Sequence, residues 1–228
     1  MRFQDLIQQT IRALTPLCCV PKPLPETFAR IERDEVDGVL VLETQFIAVA
    51  DLGEVRLVHI HAPKINVLTL FFFPGSRWQL PVYCMELVVF SAQPIVALLD
   101  TACVMPMACS QTVQQFMAAA HLAHPHLRQS DDTPDWFEQC RSGQDFFIRP
   151  KNDDEMTELS DLHLALISEP FKALLQEAAL FNQQDADEHQ RCLDNYKNHH
   201  RIHAPGLRLM NRSFGEQWTA DYMNFLFQ

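Results

Sequence analysis

The chain has 228 residues, of which 47% are hydrophobic and 21% are charged. This length and this composition predict one compact domain, residues 1–228, with a large core, and they exclude a disordered chain. The formal net charge of −11 argues against nucleic acid as a partner, because phosphate contacts need clustered Lys and Arg.

The first segment of the chain has the pattern of an amphipathic helix. Its apolar positions are Phe3, Leu6, Ile7, Ile11 and Leu14. Pro16 and the Pro-rich residues 21–25 end this helix and predict a loop after it. Polar residues interrupt the segment at helical spacing, so it has the features of neither a signal peptide nor a membrane span. We therefore expect a cytoplasmic protein that does not bind a membrane.

Residues 29–99 contain several short runs rich in Val, Ile, Leu and Phe, which predict strands. The gaps between these runs are too short for crossover helices, so we expect neighbouring strands to pair antiparallel. Turn signals separate the runs at residues 37–38, 51–53, 64–66 and 74–76.

Beyond Asp100 the pattern becomes mostly helical, with one short strand signal. The helical patterns cover residues 110–122, 156–180, 185–200 and 206–226, and the strand signal covers residues 145–150. Residues 67–73 and 85–90 are apolar on both strand faces and need cover on both sides. The sequence thus predicts an α+β protein, a three-layer α/β/α sandwich with a central antiparallel sheet.

Glu86 is a single carboxylate in an otherwise apolar strand. Because side chains alternate along a strand, Cys84, Val88 and Phe90 share its face. Such surroundings raise the pKa of a carboxyl group by disfavouring its charged form, which keeps a proton available near neutral pH. Glu86 is therefore a candidate proton donor to a bound substrate, unless it reaches water at a strand end or bulge.

Several common chemistries lack their signatures in this sequence. The six Gly residues have no phosphate-cradling or dinucleotide-binding spacing, and no hydrolase, metalloprotease or kinase motif is present. The seven Cys form no Cys-x-x-Cys pair, which argues against a disulfide framework and a zinc cluster. His59 and His61 share a strand face, but no other ligand motif accompanies them, so no metal site is predicted.

Five segments of the chain together resemble ferredoxin-dependent bilin reductases. Residues 73–74 (FP), 80–86 (LPVYCME) and 95–100 (IVALLD) resemble the central strands of that family. Residues 146–150 (FFIRP) resemble its strand that ends in Arg-Pro, and residues 204–218 resemble its C-terminal helix signature. The family fold is likewise an antiparallel sheet between helical layers.

The resemblance, which extends over residues 30–228, implies an enzyme that reduces biliverdin IXα to a phycobilin or a dihydrobiliverdin. Single electrons come from a reduced 2Fe-2S ferredoxin, and pocket side chains protonate the bilin radical intermediates. Such an enzyme binds no permanent cofactor, and its partners are biliverdin and ferredoxin. We expect it to act as a monomer.

The resemblance also assigns the proton donors. Glu86 lies where the family usually has an Asp that protonates the bilin pyrroles. The family's second acid, an Asp before Pro, aligns with Ala204, so that donor is missing. His203 is the candidate replacement, with His199 or His200 as alternatives, because imidazole titrates near neutral pH. The second Asp serves reduction of the A-ring vinyl group, so its loss favours another position, such as the 15,16 methine bridge.

Further substrate-binding positions follow from the same resemblance. The phycocyanobilin-forming branch has a Glu where His61 lies and a His where Thr69 lies. This chain is therefore more similar to the members that form phycoerythrobilin or dihydrobiliverdin. Arg149 aligns with an Arg that anchors a bilin propionate. Residues 195–213 form a basic island, whose Lys197 and Arg208 are candidates to bind propionates or ferredoxin.

Two alternatives stay open at this point. A protein that kept the bilin pocket but lost turnover would act as a bilin carrier or sensor, which the missing second acid permits. A protein similar to red chlorophyll catabolite reductases would instead reduce another linear tetrapyrrole.

Overall fold

The computed structural model describes residues 3–17, 19–108, 111–127, 133–176 and 178–228. The strands are β1 Cys19–Lys22, β2 Arg30–Glu35, β3 Gly38–Val49, β4 Gly53–Ala62, β5 Ile65–Pro74, β6 Val82–Phe90, β7 Gln93–Ala102 and β8 Phe146–Ile148. The helices are α1 Phe3–Leu14, α2 Glu26–Ala29, α3 Gln111–Ala123, α4 Asp135–Glu138, α5 Asp153–Ile167, α6 Glu169–Gln176, α7 Gln183–His203, α8 Leu207–Phe214 and α9 Glu216–Leu226. Two 3-10 turns cover Thr15–Leu17 and Pro106–Ala108.

The strands form one antiparallel sheet in the order β1-β3-β4-β5-β6-β7-β8, and β2 also pairs with β3. Strands β3 to β7 are neighbours in the sheet as they are in the sequence, because short turns join them. Strand β3 is long enough, at 12 residues, to pair with β2 along its first half and with β1 along its second half. The predicted antiparallel pairing is confirmed.

Helices cover both faces of the sheet, as the apolar strands require. One face packs against α1, α3, α5 and α6 in a core that includes Leu57 and Leu70. The opposite face packs against α4, α7, α8 and α9 in a second core that includes Val58, Phe71 and Leu98. Strand alternation divides the side chains between these two cores. The predicted α+β architecture, a three-layer α/β/α sandwich, is confirmed.

Two predicted helices are each divided in the structure. The pattern at residues 156–180 contains α5 and α6, and the pattern at residues 206–226 contains α8 and α9. Pro170 lies in the first turn of α6, and a residue without an N–H cannot continue the hydrogen bonds of α5. Gly215 has a φ of +88°, which favours Gly, and this conformation separates α8 from α9.

The sequence pattern does not predict the three short elements β1, α2 and α4. The predicted loop at residues 21–25 includes the end of β1, an edge strand in which Pro21 is tolerated. Cys103 is disulfide-bonded, whereas Cys84, Cys140 and Cys192 carry free thiols. None of the helices in the described part of the chain combines the length and the hydropathy needed to cross a bilayer.

Candidate functional site

A cavity of about 200 Å³, the sheet cavity, lies between strands β4 to β7 and helices α7 to α9. Its floor is formed by outward-facing strand side chains, among them Val58, Ile60, Val67, Thr69, Phe71, Cys84, Glu86, Val88 and Leu98. Its roof is formed by helical and loop residues, among them Trp136, His200, Ala204, Met210, Tyr222 and Leu226. The lining is mostly apolar with a few polar groups, which is typical of a small-molecule site.

Glu86 is the single carboxylate among the described residues that line the sheet cavity. Strand β6 directs it to the cavity between Thr69 on β5 and Leu98 on β7, its partners in the sheet register. Burial raises the pKa of Glu86 to about 7, and a hydrogen bond of 3.4 Å from the Thr69 hydroxyl opposes this rise weakly. At neutral pH the side chain is therefore a mixture of carboxylic acid and carboxylate, as a proton donor requires.

His200 is the imidazole of the cavity roof and is only 3% exposed. Its ring packs against Tyr196 and Trp136, with centroid distances of 4.5 and 5.6 Å. Its Nε2 atom lies 3.6 Å from the Sγ atom of Cys140. Burial lowers the pKa of His200 to about 3, with a smaller contribution from His199, so its ring is neutral near pH 7.

Asp100 is a second buried carboxyl group, next to the cavity floor. It lies opposite Cys84 in the sheet register and accepts hydrogen bonds from the backbone N–H groups of Thr101 and Ser142, at 2.7 and 3.1 Å. Burial nevertheless raises its pKa to about 7. Sequence reasoning did not assign Asp100 a role, although the sequence shows for it a signal similar to that of Glu86, a single acid in a strand that is mostly apolar.

A second cavity of about 500 Å³, the basic pocket, adjoins the sheet cavity. The two cavities share Ile65, Pro205 and Leu209 in their walls. The basic pocket also contains the exposed side chains of Arg208 and Arg212, neither of which forms an ion pair within the described residues. The same pocket contains Lys64, which pairs with Asp37, and Glu35, which accepts a hydrogen bond from Ser213. The apolar sheet cavity therefore ends beside two guanidinium groups in a pocket of mixed charge.

The structure brings only some of the predicted site residues together. Glu86 and Thr69 lie on the floor of the sheet cavity, and Arg208 lies in the basic pocket. His203 is exposed and contacts the ring of His199 at a centroid distance of 4.6 Å, so His200 occupies the position expected of His203. The last turns of α7 carry several histidines, and the sequence does not show which one faces the sheet.

Three other predicted residues lie outside the walls of both cavities. His61 is on the opposite sheet face, where its ring lies tilted against that of His59 at a centroid distance of 4.8 Å, and Ile60 faces the cavity instead. Lys197 donates a hydrogen bond of 3.0 Å to the backbone oxygen of Gln228 and lies over the ring of Phe73. Arg149 is exposed and directly follows the edge strand β8.

The family model described as ferredoxin-dependent bilin reductase matches residues 5–228 of this chain. The chain belongs to the ferredoxin-dependent bilin reductase family. The resemblance drawn from the sequence is thereby confirmed. As a member of this family, the protein is an oxidoreductase that acts on a bilin.

The fold of this bilin reductase is similar to a crystal structure of selenomethionine phytochromobilin synthase from tomato in complex with biliverdin. The TM-score is 0.78, and the match covers 99% of this chain and 83% of the tomato chain. Sequence identity is 16%, so the likeness establishes a common fold. It does not show which residues of this chain contact a ligand.

Proposed function

We propose that this bilin reductase binds biliverdin IXα in the sheet cavity and reduces it to a phycobilin or a dihydrobiliverdin. Glu86 carries the proposal, because it is a carboxyl group with a pKa of about 7 on the floor of an apolar cavity. The crystal structure of the tomato protein, which has the same fold, contains biliverdin. In this proposal residues 1–228 act as a single domain and as a monomer, without a permanent cofactor.

Electrons and protons enter the bilin separately in the proposed reaction. Reduction of one carbon–carbon double bond consumes two electrons and two protons. Each reduced 2Fe-2S ferredoxin supplies one electron, so a bilin radical lies between the two transfers. Glu86 donates a proton to the reduced bilin and takes up another from solvent before the next step. A pKa near the working pH suits both halves of this cycle.

His200 has a different role from Glu86 in this proposal. Its neutral ring, with a pKa of about 3, is a poor proton donor but can form a hydrogen bond to a pyrrole or lactam group. Ala204, which also lines the cavity, cannot donate a proton. The site then contains one effective acid in contact with the bilin, which favours reduction at one position, such as the 15,16 methine bridge.

The basic pocket supplies the anchors for the propionate groups. Arg208 and Arg212 present guanidinium groups at the end of the sheet cavity, and a guanidinium binds a carboxylate through paired hydrogen bonds. The two adjacent cavities have volumes of about 200 and 500 Å³, and a ligand that occupied both would fill a space within the range of roughly 300–1,000 Å³ typical of small-molecule sites. Arg149 is exposed outside the cavity walls and is the candidate to orient the acidic ferredoxin. Lys197 is half-buried and is held by the backbone oxygen of Gln228.

The decisive experiment is an anaerobic assay with biliverdin IXα, ferredoxin, ferredoxin reductase and NADPH, followed by absorption spectroscopy. We expect wild type to form a blue-shifted product, and we expect E86Q to bind biliverdin but to reduce it at least about 100-fold more slowly. The exposed Glu26→Gln variant is the matched control and should behave like wild type.

Other spectra would replace this proposal with an alternative. A biliverdin spectrum that shifts on binding but does not change with reduced ferredoxin would favour the carrier or sensor. No spectral shift with biliverdin, together with turnover of another linear tetrapyrrole, would favour the red chlorophyll catabolite reductase-like activity. Equal rates for E86Q and wild type would remove Glu86 as the donor.

A further inference from the structure

Three potential metal ligands meet on the sheet face opposite the sheet cavity. Glu43 on β3 lies directly across from His59 on β4, and His61 follows on the same face of β4. One ligand atom from each of these residues lies within 4.8 Å of the other two. The sequence shows only the two histidines as a pair, and the strand register supplies the carboxylate.

The orientation of His59 leaves one ring nitrogen without a partner. Its Nε2 atom lies 2.8 Å from the Oδ1 atom of Asn66, so Nε2 carries the proton and donates it to the amide oxygen. Nδ1 then keeps a lone pair, is buried, and has no hydrogen-bond partner among the described residues. His59 is only 5% exposed, and a buried acceptor without a partner is destabilising.

The unpartnered nitrogen is directed at the carboxylate of Glu43. The Nδ1 atom of His59 and the Oε2 atom of Glu43 are 3.8 Å apart, too far for a hydrogen bond. Two ligands of one tetrahedral zinc ion lie about 3.3 Å apart, because each bond is about 2.0–2.1 Å long. A small closure of the site would therefore bring both atoms onto one ion.

Neighbouring side chains fix the remaining ligand geometry. Arg30 pairs with the Oε1 atom of Glu43, which leaves Oε2 facing His59. The ring of His61 is 4.8 Å from that of His59, and both His61 and Glu43 are half-buried, so an ion can enter from solvent. The Asn66 contact is of the kind that orients metal-binding histidines in proteins, an outer partner on the second ring nitrogen.

We propose that Glu43, His59 and His61 form a binding site for a divalent transition-metal ion, with zinc as the best match. Two imidazoles and one carboxylate suit zinc, whereas magnesium and calcium prefer oxygen ligands alone. Three protein ligands leave a fourth position for water. The site links β3 to β4 and contacts α1 through Phe3, so bound metal would stabilise this side of the sandwich.

The test uses the full chain, purified without a histidine tag. Zinc is titrated in competition with a chromophoric chelator, and cobalt is added in a parallel sample to record its visible absorption. We expect one equivalent of zinc, an intense tetrahedral cobalt spectrum, and a higher unfolding temperature with zinc. H61A and E43Q should weaken zinc binding at least about 100-fold, and N66A about 10–100-fold.

A second histidine–carboxylate group gives the matched control. His126 lies 2.7 Å from Glu158, to which His124 also bonds, in a partly exposed group remote in sequence from the proposed site. The H126A variant should bind zinc as wild type does. The proposal would be overturned if H126A lost zinc binding while H61A and E43Q kept it. It would also be overturned if the wild-type protein bound no zinc. Because E43Q keeps the size of the side chain and removes only its charge, it provides the result even if H61A does not fold.

Discussion

Thr69 and Glu86 face each other across the β5–β6 pair, and the Thr69 hydroxyl donates a hydrogen bond of 3.4 Å to the Oε2 atom of Glu86. This bond favours the charged form of Glu86 and so lowers its pKa, in opposition to the larger effect of burial. The hydroxyl at position 69 thereby tunes the acid on the cavity floor.

The Thr69→Val variant should raise the pKa of Glu86, because it removes this bond and keeps the shape of the side chain. Bilin reduction needs protonated Glu86, so its rate falls as pH rises through the pKa of Glu86. In Thr69→Val the decrease in rate should therefore occur at higher pH. The pH dependence of single-turnover bilin reduction measures the shift. Thr69→Ser keeps the hydroxyl and should retain the wild-type profile, and an unchanged profile in Thr69→Val would contradict the prediction.

The Glu86→Gln variant should be more stable than wild type at high pH. The pKa of Glu86 is about 7 in the folded protein and 4.5 ordinarily, so its folded form binds the proton more tightly. Stability is therefore lost as pH rises from about 4.5 through 7, by up to about 3 kcal/mol for this group. Gln does not titrate, so the Glu86→Gln variant does not lose this stability as pH rises.

Urea unfolding at pH 8 and pH 4.5 separates this effect from packing. We expect Glu86→Gln to exceed wild type by about 2–3 kcal/mol at pH 8 and by little at pH 4.5. A difference of equal size at both pH values would show that titration of Glu86 does not cause it.

Replacement of His200 should impair bilin reduction much more than replacement of His203. His200 is buried in the cavity roof, whereas His203 is exposed outside it. We expect His200→Phe, which keeps a ring but removes both nitrogens, to lower the rate about 10–100-fold, in line with the loss of a positioning hydrogen bond to the substrate. His203→Ala should stay within about twofold of wild type. Anaerobic turnover assays compare the two variants, and the reverse order would restore His203 as the donor.

Acid should unfold the protein partly through His163. This residue is fully buried, bonds to the hydroxyl groups of Tyr83 and Thr10, and has its pKa lowered by burial to about 3. The unfolded chain takes up this proton near pH 6.5 and the folded protein does not, so stability falls as pH drops from about 6.5 to 3.

The His163→Asn variant should show a shallower dependence of unfolding free energy on pH. Over that interval the slope should decrease by about 1.4 kcal/mol per pH unit, which corresponds to one proton. Denaturant unfolding at several pH values measures the slope, whatever the overall stability of the variant. His203→Asn at the exposed position should keep the wild-type slope, and an unchanged slope in His163→Asn would contradict the prediction.

The sequence predicts those features that depend on local pattern. Strand alternation places Glu86 among apolar neighbours, and short gaps require antiparallel pairing, and both agree with the structure. The choice between His200 and His203 depends on how α7 is rotated against the sheet, which tertiary packing decides. His61 illustrates the same limit, because alternation groups it with His59 but does not show which sheet face carries the cavity. Glu43 joins the two histidines only through the register of β3 and β4.

The order of strands β3 to β7 has a consequence for how this chain folds. Each of these strands pairs with the next through a short connection, and such local contacts form fast. Helices α7 to α9, which close the sheet cavity, lie at the other end of the described chain. We expect the floor with Glu86 to form before the roof with His200. A bilin that contacts both walls then binds only the completed protein, so it should slow unfolding and protect the C-terminal helices from hydrogen exchange.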